Sequence, residues 1–366
     1  MTAPSFIDRT ISTIIAAVKT TYEQAIGKTL FPAQPEQLLI NGAAYRELLV
    51  RNQIQVAAQR NLVNYADGEY LNELGALVGV ERLQPARART TIRFSRTDSV
   101  GLLIPAGFRV AAEGGNQLWY ETLSNLEIPN GVPSGEIEAQ AIETGIEFNN
   151  LSLGSINTPV DTVPGRTFTV ENITIPVGGS AIETDDRLRR RIKLAPNQFS
   201  VAGSKGAYEF FTLSADPSII DVAAINGGAI NVQIYPLVET GLPSPDILTL
   251  VQNVLSDERI RPLTDIVRVF TPIQVSYTIN AQITLYSNAD ADALDNALVA
   301  AAEAYATAQR QQLGFDVVRS QIIAALSLPG VYRVELVEPS EDIAIAPNEW
   351  ANASSVVVSV VGDNDG

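Results

Sequence analysis

The sequence predicts an α+β multidomain protein, with N-terminal long helices, a central β-rich domain and C-terminal small α+β domains. Three observations lead there. Apolar residues recur at helical spacing through the first eighty or so positions, they alternate between dense turn signals over 88–180, and from about 181 the two periods are mixed. A chain of 366 residues, 46% of them hydrophobic, has material for several separate cores.

Residues 5–80 read as helical. Leu39, Ala43, Val50, Ile54, Ala58 and Leu62 fall at spacings of 4, 7, 4, 4 and 4, one stripe of a long amphipathic helix. Arg46, Glu47, Arg51, Asn52, Gln55 and Gln59 fill its other sides. A stripe on a helix this long needs a second helix to cover it. Either residues 6–26 fold back as a hairpin, or a partner chain supplies the cover. The segment DGEYLNELGALVGV (67–80) then reads as a short helix, with Asp67 as N-cap and Gly79 as C-cap.

Over 88–180 the period becomes two. GEIEAQAIETG places Ile137, Ala139 and Ala141 on one face and Glu136, Glu138 and Gln140 on the other. Turn signals (IPAG, EGGN, IPNGVPSG, VPGR, PVGG) separate short strands. Beyond 181, helices are expected at 184–195, 204–215, 245–257, 290–312 and 316–327. Strands are expected at 219–225, 229–236, 265–270, 273–285 and 331–337, with a last strand and an acidic tail within 343–366. This divides the chain into a helical region at 1–87, a β-rich domain at 88–180, an α+β domain at 181–271 and a C-terminal α+β domain with an acidic tail at 272–366.

Composition excludes several chemistries. With no His and no Cys, the chain has no imidazole base, no thiolate nucleophile, no His/Cys zinc site and no disulfide. Its 25 Lys and Arg against 41 Asp and Glu, a formal net charge of −16, make a field that repels nucleic acid and anionic membranes. The start MTAPSFIDRTISTIIAAVK lacks the clean apolar core of a signal peptide, so the expectation is a soluble protein made in the cytoplasm. No phosphate-binding glycine motif occurs. SNADADALD lacks the glycine and distal Glu of a calcium loop and reads as a helix start near Asp290 or Asp292, while GDNDG breaks off before such a loop could be completed. Glu136 and Glu138 are explained as the polar side of a strand, and the sequons at Asn172 and Asn352 mean little without a secretory signal. No cofactor, metal or catalytic residue is expected.

Two arginine-rich strips stand out. In TDDRLRRRIKLA, Thr184 is a good N-cap and Asp185 and Asp186 suit the helix N-terminus. The pairs Asp185–Arg189 and Asp186–Arg190 have favourable i,i+4 spacing, and Leu188, Ile192 and Ala195 form a buried stripe. In ERLQPARARTTIRFSR, Arg82, Arg87, Arg89, Arg93 and Arg96 surround the helix-to-sheet junction, where charge also blunts a strand edge. Arg87, Arg89, Arg189 and Arg190 are the charged groups that an acidic partner could meet.

Several segments in chain order carry a resemblance: DGEYLNELGALVGVERLQPARA (67–88), IPAGFRVAAEGGNQLWYET (104–122), GEIEAQAIETGIEFNNLSLGSI (135–156), GGSAIETDDRLRRRI (178–192), AGSKGAYEFF (202–211), RPLTDIVRVFTPIQVSYTINAQI (261–283) and GVYRVELVEPSEDI (330–343). The chain resembles the baseplate J-like family, wedge proteins of contractile phage tails, tailocins and related injection systems, over about 67–343. The resemblance implies a structural, non-enzymatic protein of the virion baseplate, assembled in the host cytoplasm. Its implied partners are a second copy of itself, neighbouring wedges, a smaller helical wedge subunit, a sheath initiator and tail hub proteins, with no nucleic acid and no membrane. It implies a ring around the hub whose dilation relays the trigger to sheath contraction. It also turns the stripe Leu39, Ala43, Val50, Ile54, Ala58, Leu62 towards a partner helix. The competing readings are a tail-associated glycan hydrolase, which no motif encourages, and a receptor-binding adhesin, which the helical N-terminus argues against.

Overall fold

The computed structural model describes residues 3–98, 100–113, 118–199, 203–262 and 264–364. The chain separates into two compact units, Met1–Arg82 with Thr184–Ala195, and Leu83–Glu183 with Pro196–Gly366.

The first unit begins with α1 (Ile11–Ile26) and α2 (Pro35–Gln59), which form a helical hairpin. Gly27, at φ 68°, ends α1, and a proline in the first turn opens α2. Ile14, Leu30, Ile40 and Ala44 are buried in this unit. The hairpin is tied down by Gln55, only 1% exposed, whose Oε1 accepts from Phe6 N (2.8 Å) and whose Nε2 donates to Pro4 O (2.7 Å). Next come α3 (Gly68–Ala76) and, more than a hundred residues later in the chain, α4 (Asp185–Leu194), which packs against α3. A Cβ at Gly75 would stand 2.6 Å from Val80 O and 3.2 Å from Ile192 Cδ1, so only glycine permits this approach. The expected helix 184–195 is therefore present, but it packs with residues of the helical region rather than with the α+β segment that follows it in sequence. The reason is its stripe, with Leu188 and Ile192 buried in this unit.

In the second unit, β1 (Arg89–Arg96), β3 (Arg109–Ala112), β4 (Trp119–Thr122), β6 (Ser134–Ala141), β7 (Ile156–Pro159) and β8 (Phe168–Asn172) form one sheet in the order β7-β3-β4-β6-β1-β8. The short strands β2 (Leu102–Ile104) and β5 (Leu126–Ile128) pair separately. The outer strands β7 and β8 lie together and close a near-barrel. Buried Asn172 joins them: its Oδ1 accepts from Ile156 N (2.9 Å), and its Nδ2 donates to the carbonyls of Ser152 and Thr174 (3.0 Å each). Inside, Phe94, Phe108 and Phe168 meet with ring centroids 5.8 Å apart, and burial raises the pKa of the Tyr120 phenol, which donates to Phe148 O.

The remainder holds two smaller α+β modules. β9 (Ile219–Asn226), β10 (Asn231–Val238) and β11 (Ile266–Val269) form a sheet ordered β11-β10-β9, packed with α5 (Lys205–Ala215) and α6 (Pro245–Ser256). Ser204 and Ser244 cap these helices, accepting from Ala207 N (3.2 Å) and Ile247 N (3.4 Å). β12 (Ile273–Tyr286), β13 (Val331–Glu338) and β14 (Glu349–Asn364) form a sheet ordered β13-β12-β14 beneath α7 (Ala291–Arg310) and α8 (Arg319–Leu326). Tyr277, Ile279, Ala281, Ile283 and Leu285 of β12 meet Leu298, Ala302 and Ala306 of α7, every second strand residue against one residue in each helical turn. Trp350 and Leu313 pack with Ala223 and Leu237 of the preceding module, and Asp221 accepts from Leu313 N (2.9 Å). At the C-terminus Gly362, Asp363 and Asn364 continue β14 instead of forming a tail, because they pair with Thr284, Leu285 and Tyr286; Asp365 and Gly366 lie outside the described residues.

Candidate interaction surfaces

α2 has two apolar sides. One, with Ile40 and Ala44, is buried in the hairpin. The other carries the stripe read from the sequence: Leu39 is 75% exposed, Val50 58% and Ile54 47%, Ala43 is exposed and Ala58 half-buried. Leu62, the last of that stripe, is also exposed but stands past the end of the helix, in the turns that follow Gln59. The hairpin with residues 11–26 therefore forms without using the stripe. Leu38, Tyr45, Leu49 and Val56 are exposed as well and widen it. Their own spacing, 7, 4 and 7, was available in the sequence and would have shown that the apolar arc is broader than one face.

The arginines of α4 are largely engaged within their own unit. Arg189 donates from Nε to Val63 O (2.8 Å) and from Nη2 to Ala66 O (2.8 Å), and its Nη1 pairs with Asp186. These bonds satisfy carbonyls in the turns between α2 and α3, where no helix partner exists. Arg191, buried, donates to Glu81 O (3.1 Å). Asp185 pairs not with Arg189 but with Arg82 (2.6 Å), and accepts from Gly68 N (3.0 Å). It thereby supplies the cap of α3 that Asp67, at the N-cap position, does not make; Asp67 pairs with Arg60 instead (3.1 Å). The Gly68 N–H and the Arg82 guanidinium hold the Asp185 carboxyl below its ordinary pKa. Arg190 is exposed on the outer side of the helix.

In the near-barrel, Arg93 bridges three strands, reaching Glu136 (2.8 Å) and Glu171 (3.4 Å), so Glu136 has a cross-strand partner. Arg87 pairs with Glu121 (3.2 Å), and Arg89 is exposed without a side-chain partner among the described residues. Both line a cleft of about 390 Å³, with Gln140 on their side and Ser244, Asp246 and Ile247 at the start of α6 opposite. Of the four charged candidates, Arg189 and Arg190 lie on α4 of the first unit, and Arg87 and Arg89 belong to the second. Among the described residues no group of three or more His, Cys, Asp or Glu is placed to hold a metal, and no helix is long and apolar enough to cross a membrane. Asn172, one of the sequon asparagines, is buried in the seam.

The fold is that of a multidomain α+β chain, and its candidate surfaces are an exposed apolar side of α2 and exposed arginines. Four family models match it in chain order: the baseplate J-like N-terminal domain at residues 34–88, the barrel domain at 91–179, the central domain at 200–271 and the C-terminal domain at 277–359. The chain belongs to the baseplate J-like family. Baseplate protein J of Escherichia phage P2 is 37% identical over 177 residues, which cover 48% of this chain and 58% of that protein, so the match spans little more than half of the relative's length. A chain in the cryo-EM structure of the anti-feeding prophage baseplate, 6-fold symmetrised, is similar at a TM-score of 0.44 and 15% identity, over 94% of this chain and 89% of its own. That likeness is too loose to carry more.

Proposed function

We propose that the chain is a structural wedge protein of a contractile-tail baseplate, without catalytic activity of its own, built as a helical region followed by a β-rich and two α+β modules. The supporting observation is the outer side of α2. Seven large apolar side chains on one helix, Leu38, Leu39, Tyr45, Leu49, Val50, Ile54 and Val56, stay exposed after the intramolecular hairpin has formed. Burying side chains of this size is worth roughly 1.5–3 kcal/mol each, so an assembly that covers them has a strong driving force.

In this reading Leu39, Ala43, Val50, Ile54 and Ala58 meet a helix of a neighbouring wedge subunit, with Leu62 at the margin. Exposed Arg87, Arg89 and Arg190 meet acidic neighbours, while Arg189 acts inside its own unit to hold α4 in place. The wedges close a ring around the tail hub, and dilation of that ring passes the trigger through a sheath initiator to the sheath. Modules with separate cores suit such a movement, since they can shift as bodies while each stays folded.

The test is to sediment intact particles from a producing lysate and quantify this chain against sheath protein by mass spectrometry. A low, fixed ratio, fitting a pair of copies in each wedge of a six-fold ring, is the expected result. A chain left soluble and absent from particles overturns the proposal.

A further inference from the structure

The C-terminal sheet ends on β14, and among the described residues no strand pairs with its outer side over Ser355–Val360. Nearer its start that side is occupied, since Leu313 bridges to Trp350 and Gly314 N donates to Glu349 O (3.0 Å). Two bulges, at Ser354 and Val361, bracket the regular run between them, SVVVSV. This run holds no charge and no proline, the devices by which natural edge strands discourage pairing. The opposite edge, β13, is protected in that way by Arg333, Glu335 and Glu338, all exposed.

We infer that the outer edge of β14 is a docking strand for the β14 of a second copy, paired antiparallel about a two-fold axis at Val357. The sequence over 355–359, Ser-Val-Val-Val-Ser, reads the same in both directions. Antiparallel pairing centred on Val357, which is 50% exposed, sets Val357 against Val357 and Ser355 against Ser359 on one side of the sheet. On the other side it sets Val356 against Val358. Such self-complementarity is what a two-fold interface requires. Asp363 falls beyond the run, so no like charges are opposed, whereas docking on β13 of another copy would set an uncharged strand against a charged one. The inference rests on the reading that copies of this chain meet in one assembly, and it names the surface by which two of them do.

The native chain has no cysteine, so single-cysteine variants report cleanly. Opposed side chains in an antiparallel pair stand about 4.5–5.5 Å apart at Cβ, close enough for a disulfide with small adjustments. The purified full-length Val357→Cys chain, oxidised, is expected to double in mass on a non-reducing gel. Gln282→Cys, exposed on the same side but on the central strand opposite Ser359, is expected to stay single. Val357→Lys is expected to abolish self-association while the fold, read by circular dichroism, is unchanged. The proposal is overturned if Val357→Cys stays single both in solution and in particles, if Gln282→Cys crosslinks equally, or if position 357 crosslinks to a chain of another kind. Sedimentation of the same variants scores the baseplate reading separately: entry into particles without the 357–357 bond defeats the strand pairing alone, and the bond in a chain that never enters particles defeats the baseplate reading alone.

Discussion

The near-barrel and the helical hairpin spend their hydrophobic residues differently. The near-barrel buries Ile92, Phe94, Phe108, Val110, Tyr120 and Ile156 in one core, closes its seam through Asn172 and pairs Arg87 and Arg93 with its own glutamates. The hairpin buries one side of α2 and leaves Leu38, Leu39, Leu49 and Val50 in water. One region is complete alone. The other keeps an apolar side uncovered, and in the proposed reading the difference marks where stability and assembly part company in this chain.

That contrast predicts which substitutions matter to the isolated chain. Phe94→Ala should cost about 3–5 kcal/mol of near-barrel stability, read by denaturant titration, because it opens a cavity among three rings. Asn172→Ala should cost about 2–3 kcal/mol and raise amide exchange at Ile156, since it leaves buried backbone groups at the seam unpaired. Arg189→Ala should cost about 1–2 kcal/mol, localised by hydrogen exchange to α3 and the turns before it, because the carbonyls of Val63 and Ala66 lose their donor. In contrast, Val50→Ala should change the stability of the isolated chain by less than about 0.5 kcal/mol. A large loss there would show that the exposed side of α2 is already packed, and the contrast would fail.

Acid provides a finer probe. The Asp185 carboxyl titrates below its ordinary value of 3.8 when folded, so its contribution is complete above that value and is lost as the pH falls further, through the folded pKa. Amide protection in α3 should therefore decline below about pH 4 in the native chain. Asp185→Asn should be less protected at neutral pH and lose less on acidification. Equal acid sensitivity in the two would remove Asp185 from this role.

Much of the architecture was legible in the sequence because it is written at short range. The period-two alternation of β12, the serine caps before α5 and α6, and the capped start of α7 at Asp290 are all set by neighbours within a few residues. What was not legible depends on residues far apart. The cap of α3 comes from Asp185, 117 positions away from Gly68, and Asp67 beside it was the natural guess from local chemistry. The same distance hid the partner of α4, whose apolar stripe says that it is covered but not by what. Nothing local marks Asn172 as buried, and only the closing of β7 on β8 makes it the link between them. The polar residues Gly362–Asn364 read as a tail, since nothing local shows that β12 runs far enough to pair them. For the candidate surfaces, the spacing on α2 marks an apolar stripe, but spacing alone does not say which of two apolar sides the hairpin takes.

The most direct measurement is particle incorporation of a variant altered only on the outer side of α2, Leu39→Asp with Val50→Asp, expressed beside the native chain and counted in sedimented particles by mass spectrometry. The account predicts a soluble chain with native circular dichroism and melting behaviour that is lost from the particles. Incorporation at the native ratio would contradict it, since the exposed stripe would then have no part in assembly.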